Sequence, residues 1–490
     1  MDNLREKTVD ALIWKGMESF GQQGITFIIQ IVLARLLLPE QFGLIAMLTI
    51  FIAIAQAFIN SGFAQALVQK KDADHIDECS VFYFNIFISI LATVIMCLTA
   101  PWIAAFYKQP LLIPLTRVLS LNLIINAFSQ IQRTILIKKI DFKSQLKVGV
   151  SASLFSGIVG IVMACTGFGV WALVGQQISR SLAQTAIFWF VSDWRPALVM
   201  SFGSLRSMFS FGSKLLFSGL LDTAFNNIYL VVIGKIFSPA ALGFYSRAKG
   251  FQHFPVASIT SIVSSVTFPV FASVQDDRNR VKVGAQKSLT VLMTIIAPIM
   301  LGLAVVSRPL VSVILTDKWL PCVPFLQLLC FVGIFWPLHV INLNVLKSLG
   351  RSDLFFSLEV LKKILIVIAI AVTYRWGIQA MIYGRIVISF LGYYINCYYS
   401  GKLINYPIKE QIKDLVPYLA IAIVMAAGAY SIRWFQIDND FVLLGFQILV
   451  GIVIYAALAW IFRMPAFIEV LDISNSKLRI AGLWPSKNSE

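Results

Sequence analysis

Long apolar runs recur from one end of this chain to the other, separated by short polar connections. Each run is about 20 residues long, which is the length an α-helix needs to cross a hydrocarbon core about 30 Å thick. Fourteen such segments are predicted, near residues 12–36, 40–62, 81–106, 111–135, 144–166, 169–191, 209–234, 240–270, 288–313, 320–345, 354–374, 377–399, 415–435 and 440–462. The pattern predicts an all-α polytopic membrane protein with about fourteen transmembrane helices.

Composition supports this class and excludes others. Of 490 residues, 58% are hydrophobic and 13% are charged, whereas a soluble domain carries about 25% charged residues. The mean hydropathy is +0.81. Six cysteines and three histidines are scattered along the chain, so the sequence predicts no disulfide framework, metal site or cofactor. The net charge of +16 is not concentrated in a basic domain, and no nucleic acid partner is predicted.

Basic residues favour one set of connections over the other. Most of them lie after even-numbered segments, for example Lys138, Lys139, Arg278 and Arg280. By the positive-inside rule these connections are cytoplasmic. Both termini are then cytoplasmic as well, which an even number of crossings requires.

The chain contains an internal repeat. ARLLLPEQFGLIA at 34–46 parallels GKIFSPAALGFYS at 234–246, and GVWALVGQQ from Gly169 parallels GIQAMIYGR from Gly377. In the first pair, a proline–glycine segment that we interpret as a tight turn recurs after 200 residues. The repeats predict pseudo-symmetric six-helix lobes at 1–200 and 201–402, two additional helices within 403–465, and a cytoplasmic tail at 466–490. Such duplication is typical of transporters.

Charged side chains interrupt several apolar segments. With a rise of about 1.5 Å per residue, Arg117, Arg180, Arg247 and Arg385 lie about 9, 16, 10 and 12 Å below the predicted outer helix ends. Lys214 lies in the half nearer the cytoplasm. Because a charge inside the membrane costs about 2.5–3.5 kcal/mol, these residues are predicted to line a cationic cavity between the lobes. A guanidinium binds phosphate oxygens bidentately and keeps its charge.

Alternatives for the membrane charges stay open at this level. The acids available for ion pairing or ion coupling are Glu18, Asp222 and Glu359. The lysines that can instead extend to the cytoplasmic interface are Lys15, Lys214, Lys362 and Lys363. Lys249 lies about 200° around its helix from Arg247. We therefore expect these two residues to face different ways, with Lys249 in a structural role.

Several motifs resemble one family of transporters. They are SGFAQALVQKKD at 61–72, ILIKKIDFK at 135–143, GFGVWALVGQQ at 167–177, LGFYSRA at 242–248 and TFPVFASVQDD at 267–277. In this order they resemble the polysaccharide exporters of the multidrug/oligosaccharidyl-lipid/polysaccharide (MOP) flippase superfamily. One departure is that Asn226 and Asn227 stand where such proteins often have an acidic residue.

The resemblance implies a function and a set of partners. It implies a flippase of the bacterial inner membrane that moves a polyprenyl-diphosphate-linked oligosaccharide outward by alternating access. Membrane lipids, a polysaccharide polymerase and chain-length proteins are the implied partners, and a proton gradient, a sodium gradient or the membrane potential is the implied drive. A cation-coupled drug exporter of the same superfamily would line its cavity with carboxylates. A membrane polymerase or glycosyltransferase would need a sizeable extramembrane loop, which the chain lacks.

Overall fold

The computed structural model describes residues 21–59, 63–70 and 72–469, and within them the chain forms helices and no β-strand. The α-helices are α1 (21–36), α2 (Pro39–Ile59), α3 (Phe63–Gln69), α4 (His75–Tyr107), α5 (Leu112–Lys138), α6 (Phe142–Cys165), α7 (Val170–Val191), α8 (Phe202–Ile236), α9 (Pro239–Ser273), α10 (Arg278–Leu315), α11 (Val323–Ser348), α12 (Ser352–Thr373), α13 (Gly377–Ile404), α14 (Ile408–Ser431) and α15 (Asp440–Ile461). Short 3₁₀ turns cover Asp317–Cys322, Tyr374–Trp376 and Ile432–Phe435. The prediction of an all-helical protein is confirmed.

Ten helices within the described residues are long and apolar enough to cross a membrane. The count of fourteen crossings stays a prediction, although the predicted segments from 40–62 onward each overlap one long helix. Among the helices outside the ten, α7, α12 and α13 carry Arg180, Lys362 and Arg385 within their apolar runs. Charged side chains inside membrane helices usually mark functional positions. The charged residues of these three helices are therefore candidates for a functional site.

Side-chain caps begin four helices on the predicted cytoplasmic side. Asp74 accepts from the backbone N–H of Asp77 in a capping box at the start of α4. The side chains of Asp141, Ser201 and Asp277 likewise accept from backbone N–H groups in the first turns of α6, α8 and α10. Each cap satisfies an otherwise unpaired donor and contributes about 1 kcal/mol. The caps therefore fix where these helices begin after the connections that are predicted to be cytoplasmic.

The chain divides into two compact units, Met1–Ser246 and Arg247–Glu490, and the division falls within α9. In the N-terminal unit α6 packs against α7, α4 against α5, and α2 against α8. Small polar side chains connect neighbouring helices: Thr93 Oγ1 donates to the carbonyl of Ser120 over 3.1 Å, and Thr185 Oγ1 donates to that of Ile125 over 2.9 Å. Such bonds stabilise helix pairs in a membrane, where burial of apolar surface contributes little.

In the C-terminal unit, α10 packs against α11, α14 and α15. Tyr455 Oη on α15 donates to the carbonyl of Thr294 over 2.7 Å. Asp414 on α14 accepts from Gln286 Nε2 over 2.8 Å and from Tyr406 Oη over 2.6 Å. The last two helices are thus bonded to α10 within this unit. The lobe boundaries predicted from the repeat stay predictions.

The two copies of the repeated proline–glycine segment lie against each other. Pro39 and Pro239 are the first residues of α2 and α9, so each segment is the first turn of a helix rather than the tight turn predicted from the sequence. A Cβ atom at Gly43 would lie 1.7 Å from the carbonyl oxygen of Pro239, and one at Gly243 would lie 2.0 Å from that of Pro39. Both segments belong to the N-terminal unit, and their backbones approach to a distance that only glycine allows.

Candidate anion-binding sites

A polar cavity of about 240 Å³ lies inside the N-terminal unit. Its lining residues are Gln22, Asn126, Arg133, Gln145, Arg180, Ser181, Gln184 and Phe188. Two larger cavities of the same unit, about 610 and 830 Å³, are lined almost wholly by apolar side chains. Of these three cavities, the smallest is the one in which cations and amides converge.

Helix periodicity brings these side chains together. On α7, Arg180, Gln184 and Phe188 are four residues apart and therefore share one face. On α5, Asn126 and Arg133 are seven residues apart, which is about two turns. α1 and α6 contribute one glutamine each. Four helices thus direct polar groups into one space.

Within the described part of the chain, the charges in this cavity have no acidic ion-pair partner. Among the described residues, no carboxylate forms an ion pair with Arg133 or Arg180. Arg180 is half-buried, and the Oε1 atom of Gln145, a residue 3% exposed, has no hydrogen-bond partner in this part of the chain. Because a desolvated cation without a counter-charge is expensive, the cavity is suited to an anion. Its amides can bind hydroxyl groups.

A second group of basic side chains lies in the C-terminal unit. Lys249 on α9 lies close enough to Arg385 on α13 for their charges to interact, and His253 interacts with both. Lys249 and His253 are four residues apart and share one helix face. The imidazole of His253 meets the ring of Trp336 edge-on, with 6.5 Å between the ring centroids. This cluster is the second candidate for binding an anion.

Arg247 has a different environment. Its guanidinium lies 5.6 Å from the centroid of the Trp319 ring, a cation–π contact with a side chain that is 0% exposed. Arg247 and Lys249 therefore have separate surroundings, and it is Lys249 that lies beside Arg385. A substrate-binding role for Arg247 stays a prediction, and Lys249, which the sequence analysis set aside as structural, joins the candidates.

The structure places the other predicted residues in several locations. Arg117 is exposed on α5 and does not line the polar cavity, while Asp222 is exposed on α8. Glu359 forms an ion pair with Lys362 on the same helix. Glu18 and the side chain of Lys214 lie outside the residues that the structure describes. The substrate-binding and coupling roles of all these residues stay predictions.

Sequence reasoning missed the lining residues other than Arg180. Neither Arg133 nor any of the cavity amides was among the residues predicted to line a cavity. A signal was present: Asn126 and Arg133 lie on one face of a largely apolar helix, as do Arg180 and Gln184. Polar positions repeating at helical spacing within an apolar run indicate an interior polar surface.

Comparisons with known proteins agree with this architecture. A family model described as "Polysaccharide biosynthesis protein" matches residues 32–324. The chain is 28% identical over 373 residues to the lipopolysaccharide biosynthesis protein WzxC of Escherichia coli K12. The aligned region covers 76% of this chain and 76% of WzxC. It is also 31% identical over 308 residues to the teichuronic acid biosynthesis protein TuaB of Bacillus subtilis 168. This aligned region covers 62% of this chain and 63% of TuaB.

Solved structures share the fold. The lipid II flippase MurJ in an inward closed conformation matches with a TM-score of 0.74 and 15% identity, covering 92% of this chain and 98% of MurJ. An inward-facing MATE multidrug transporter of the MOP superfamily matches with a TM-score of 0.59 and 14% identity, covering 78% of this chain and 95% of the transporter. The resemblance to polysaccharide exporters is confirmed by the sequence matches. Because the family model matches more than half of this chain, the chain belongs to the polysaccharide biosynthesis protein family.

Proposed function

We propose that this protein is a flippase that moves a polyprenyl-diphosphate-linked oligosaccharide from the inner to the outer leaflet of the bacterial inner membrane. The observation that carries the proposal is the polar cavity in which Arg133 and Arg180 face the same space without a carboxylate partner among the described residues. In this proposal the chain crosses the membrane fourteen times, both termini are cytoplasmic, and two six-helix lobes alternate in access.

The chemistry of the cavity suits such a substrate. A diphosphate cannot cross about 30 Å of hydrocarbon without compensation for its charge, and two guanidinium groups provide that compensation through bidentate hydrogen bonds. Gln22, Asn126 and Gln184 provide amide groups for sugar hydroxyls. Flipping breaks no covalent bond, so binding and movement suffice. Two similar proteins support the same class: MurJ, a lipid II flippase, and ExoT, a succinoglycan biosynthesis transport protein of Rhizobium meliloti 1021 that is 25% identical to this chain over 396 residues.

A cation-coupled drug exporter is the second candidate, because MATE transporters share the fold. The positive charge of the cavity disfavours a cationic drug as the substrate. An organic cation would enter a site that already holds two guanidinium groups, and at about 4 Å two like charges repel by about 4 kcal/mol at an effective dielectric constant of 20. The cationic cavity therefore favours the anionic substrate.

Reconstitution tests the function. We expect the purified protein in liposomes to carry a fluorescent polyprenyl-diphosphate oligosaccharide across the bilayer, so that a membrane-impermeant quencher reaches the fraction that was initially protected. Liposomes without protein provide the background rate. A labelled product with added sugar would identify a polymerase or glycosyltransferase, and export of a cationic dye without movement of the lipid would identify a drug exporter. Either result would overturn the proposal.

The two neighbouring cations of α9 should differ in their effects. We expect Lys249→Ala to reduce flipping about tenfold with an unchanged melting temperature, because it removes one charge from the cluster with Arg385. Arg247→Ala should lower the melting temperature, because a desolvated cation–π contact such as that with Trp319 contributes about 2 kcal/mol. The melting temperature and the flipping rate of each purified variant show whether the substitution acts on stability or on transport. Full flipping by Lys249→Ala would remove that residue from the site.

A further inference from the structure

An apolar cavity of about 610 Å³ lies between α3, α4 and the first turns of α8 in the N-terminal unit. Its lining residues are five phenylalanines together with Met200, Leu205 and Arg206. Three of the phenylalanines are largely exposed: Phe87 is 64%, Phe202 77% and Phe209 59% exposed. The cavity shares no lining residue with the polar cavity around Arg180, so the two are separate sites.

One face of α8 forms a wall of this cavity. Phe202, Arg206 and Phe209 follow each other at spacings of four and three residues, so their side chains lie along one side of the helix. The start of α8 is held against α4, because the backbone N–H of Ser201 donates to Ser80 Oγ over 2.8 Å. The arginine is therefore placed between two exposed aromatic rings on a helix whose position is fixed.

The lengths of the two helices place the cavity at the membrane surface. In α8 the stretch that is long and apolar enough to cross a membrane is Leu216–Ile236, so the lining residues of this helix precede the span. In α4, counting about 20 residues back from Tyr107 reaches Ile88, which puts Phe87 at the edge of the hydrocarbon core. The cavity therefore lies at the level of the lipid headgroups on the predicted cytoplasmic side. Phenylalanines and leucines beside basic residues are typical of helix faces at this level.

Arg206 brings a positive charge to this cavity without a counter-charge. No carboxylate among the described residues forms an ion pair with it, and Asp77, an acid on the cytoplasmic part of α4, is paired with Lys70 at 2.5 Å. Anionic phospholipids of the cytoplasmic leaflet attract basic residues near the surface, and a guanidinium binds phosphate oxygens bidentately. The other lining side chains are those of phenylalanine, leucine and methionine, which suit an acyl chain and provide no N–H or O–H donor for a glycan.

We propose that this cavity binds one anionic phospholipid of the inner leaflet, with its phosphate on Arg206 and one acyl chain along Phe87 and Phe209. The bound lipid would hold the first turns of α8 against α4 at the membrane surface. A protein partner fits this place less well than a lipid, because the exposed rings lie at a depth where lipid already covers them.

Photo-crosslinking in vesicles tests the headgroup preference of the cavity. Full-length protein with p-benzoylphenylalanine in place of Phe87 is reconstituted into equal amounts of phosphatidylglycerol and phosphatidylcholine with the same acyl chains, and the lipid adducts are identified by mass spectrometry. We expect about fivefold more adduct with phosphatidylglycerol, which is the preference that one basic side chain near the surface provides. Arg206→Gln should make the two adducts equal. Lys139→Gln is the matched control and should keep the preference, because Lys139 is an exposed basic residue of the same predicted side that does not line the cavity.

The vesicles contain no transport substrate, so this result is independent of the proposed flippase function. Equal adducts without the Arg206→Gln change, or a preference that persists with it, would overturn the lipid site. Adducts formed only with a second copy of the chain would identify a protein interface instead. If added polyprenyl-diphosphate oligosaccharide replaced phosphatidylglycerol in the adduct, the ligand would be the transport substrate and the proposal would be wrong. If the first reporter variant does not fold, p-benzoylphenylalanine in place of Phe209, another exposed lining residue, repeats the measurement.

Discussion

Replacing Gly43 or Gly243 with alanine should reduce flipping at least about 100-fold while leaving the amount of inserted protein nearly normal. A methyl group at either position would lie within 2.0 Å of a proline carbonyl on the opposite helix, and overpacking of this kind costs about 1–3 kcal/mol or more. The obstacle is backbone, which cannot rotate aside as a side chain can. The first turns of α2 and α9 would therefore be held apart at the predicted outer side, and in an alternating-access cycle the outward-closed state would be lost.

The reciprocal geometry makes this prediction specific. Gly43 meets Pro239 and Gly243 meets Pro39, so the two single variants should have equal effects and the double variant should be little worse than either. Flipping in liposomes measures the loss, and labelling of an introduced cysteine in the polar cavity by an impermeant reagent measures access from outside. Gly219→Ala on α8 is the matched control, because its added methyl group meets nothing within 4 Å. Normal flipping by Gly43→Ala would show that the contact is dispensable.

The same two segments show which structural features could be predicted from the sequence alone and which could not. The recurrence of Pro39 and Gly43 at Pro239 and Gly243 was visible as a repeat, and it correctly marked the two segments as equivalent. Their contact was not visible, because glycine is used both in turns and in close backbone approaches, and spacing along the chain does not reveal proximity in space. The apolar runs predicted the helices for a simpler reason: in lipid each segment must satisfy its own backbone hydrogen bonds.

Identification of the candidate site residues depended on the tertiary structure more than prediction of the helices did. Arg180 could be selected because one charge deep in an apolar run is costly whatever its surroundings. Arg133 could not, since its position near the end of α5 fits an interfacial residue equally well, and only the packing of α5 against α7 brings it to the same cavity. Lys249 and Arg247 were correctly expected to face different ways from their angular offset. Which of them lies near Arg385 depends on where α13 passes, and periodicity within α9 does not contain that information.

Arg180→Ala should reduce flipping about 100-fold with little change in melting temperature. The residue has no acidic partner among those described, so its removal breaks no ion pair in the resting protein. It would remove charge-assisted bonds to the diphosphate worth about 1.5–3 kcal/mol. Arg133→Ala should act in the same direction and more weakly, because that side chain is exposed and water competes for its bonds. Since both guanidinium groups would hold one diphosphate, the effects in the double variant should not be additive.

Lysine at position 180 separates charge from geometry. Arg180→Lys keeps the charge and loses the planar fork, so it should recover only part of the flipping rate if the fork binds phosphate oxygens bidentately. Arg35→Ala is the matched control, because Arg35 is an exposed arginine of the same unit that does not line the cavity. Binding of the polyprenyl-diphosphate oligosaccharide to purified variants should weaken in parallel with flipping for Arg180→Ala and stay unchanged for Arg35→Ala. Unaltered binding by Arg180→Ala would place the diphosphate outside this cavity.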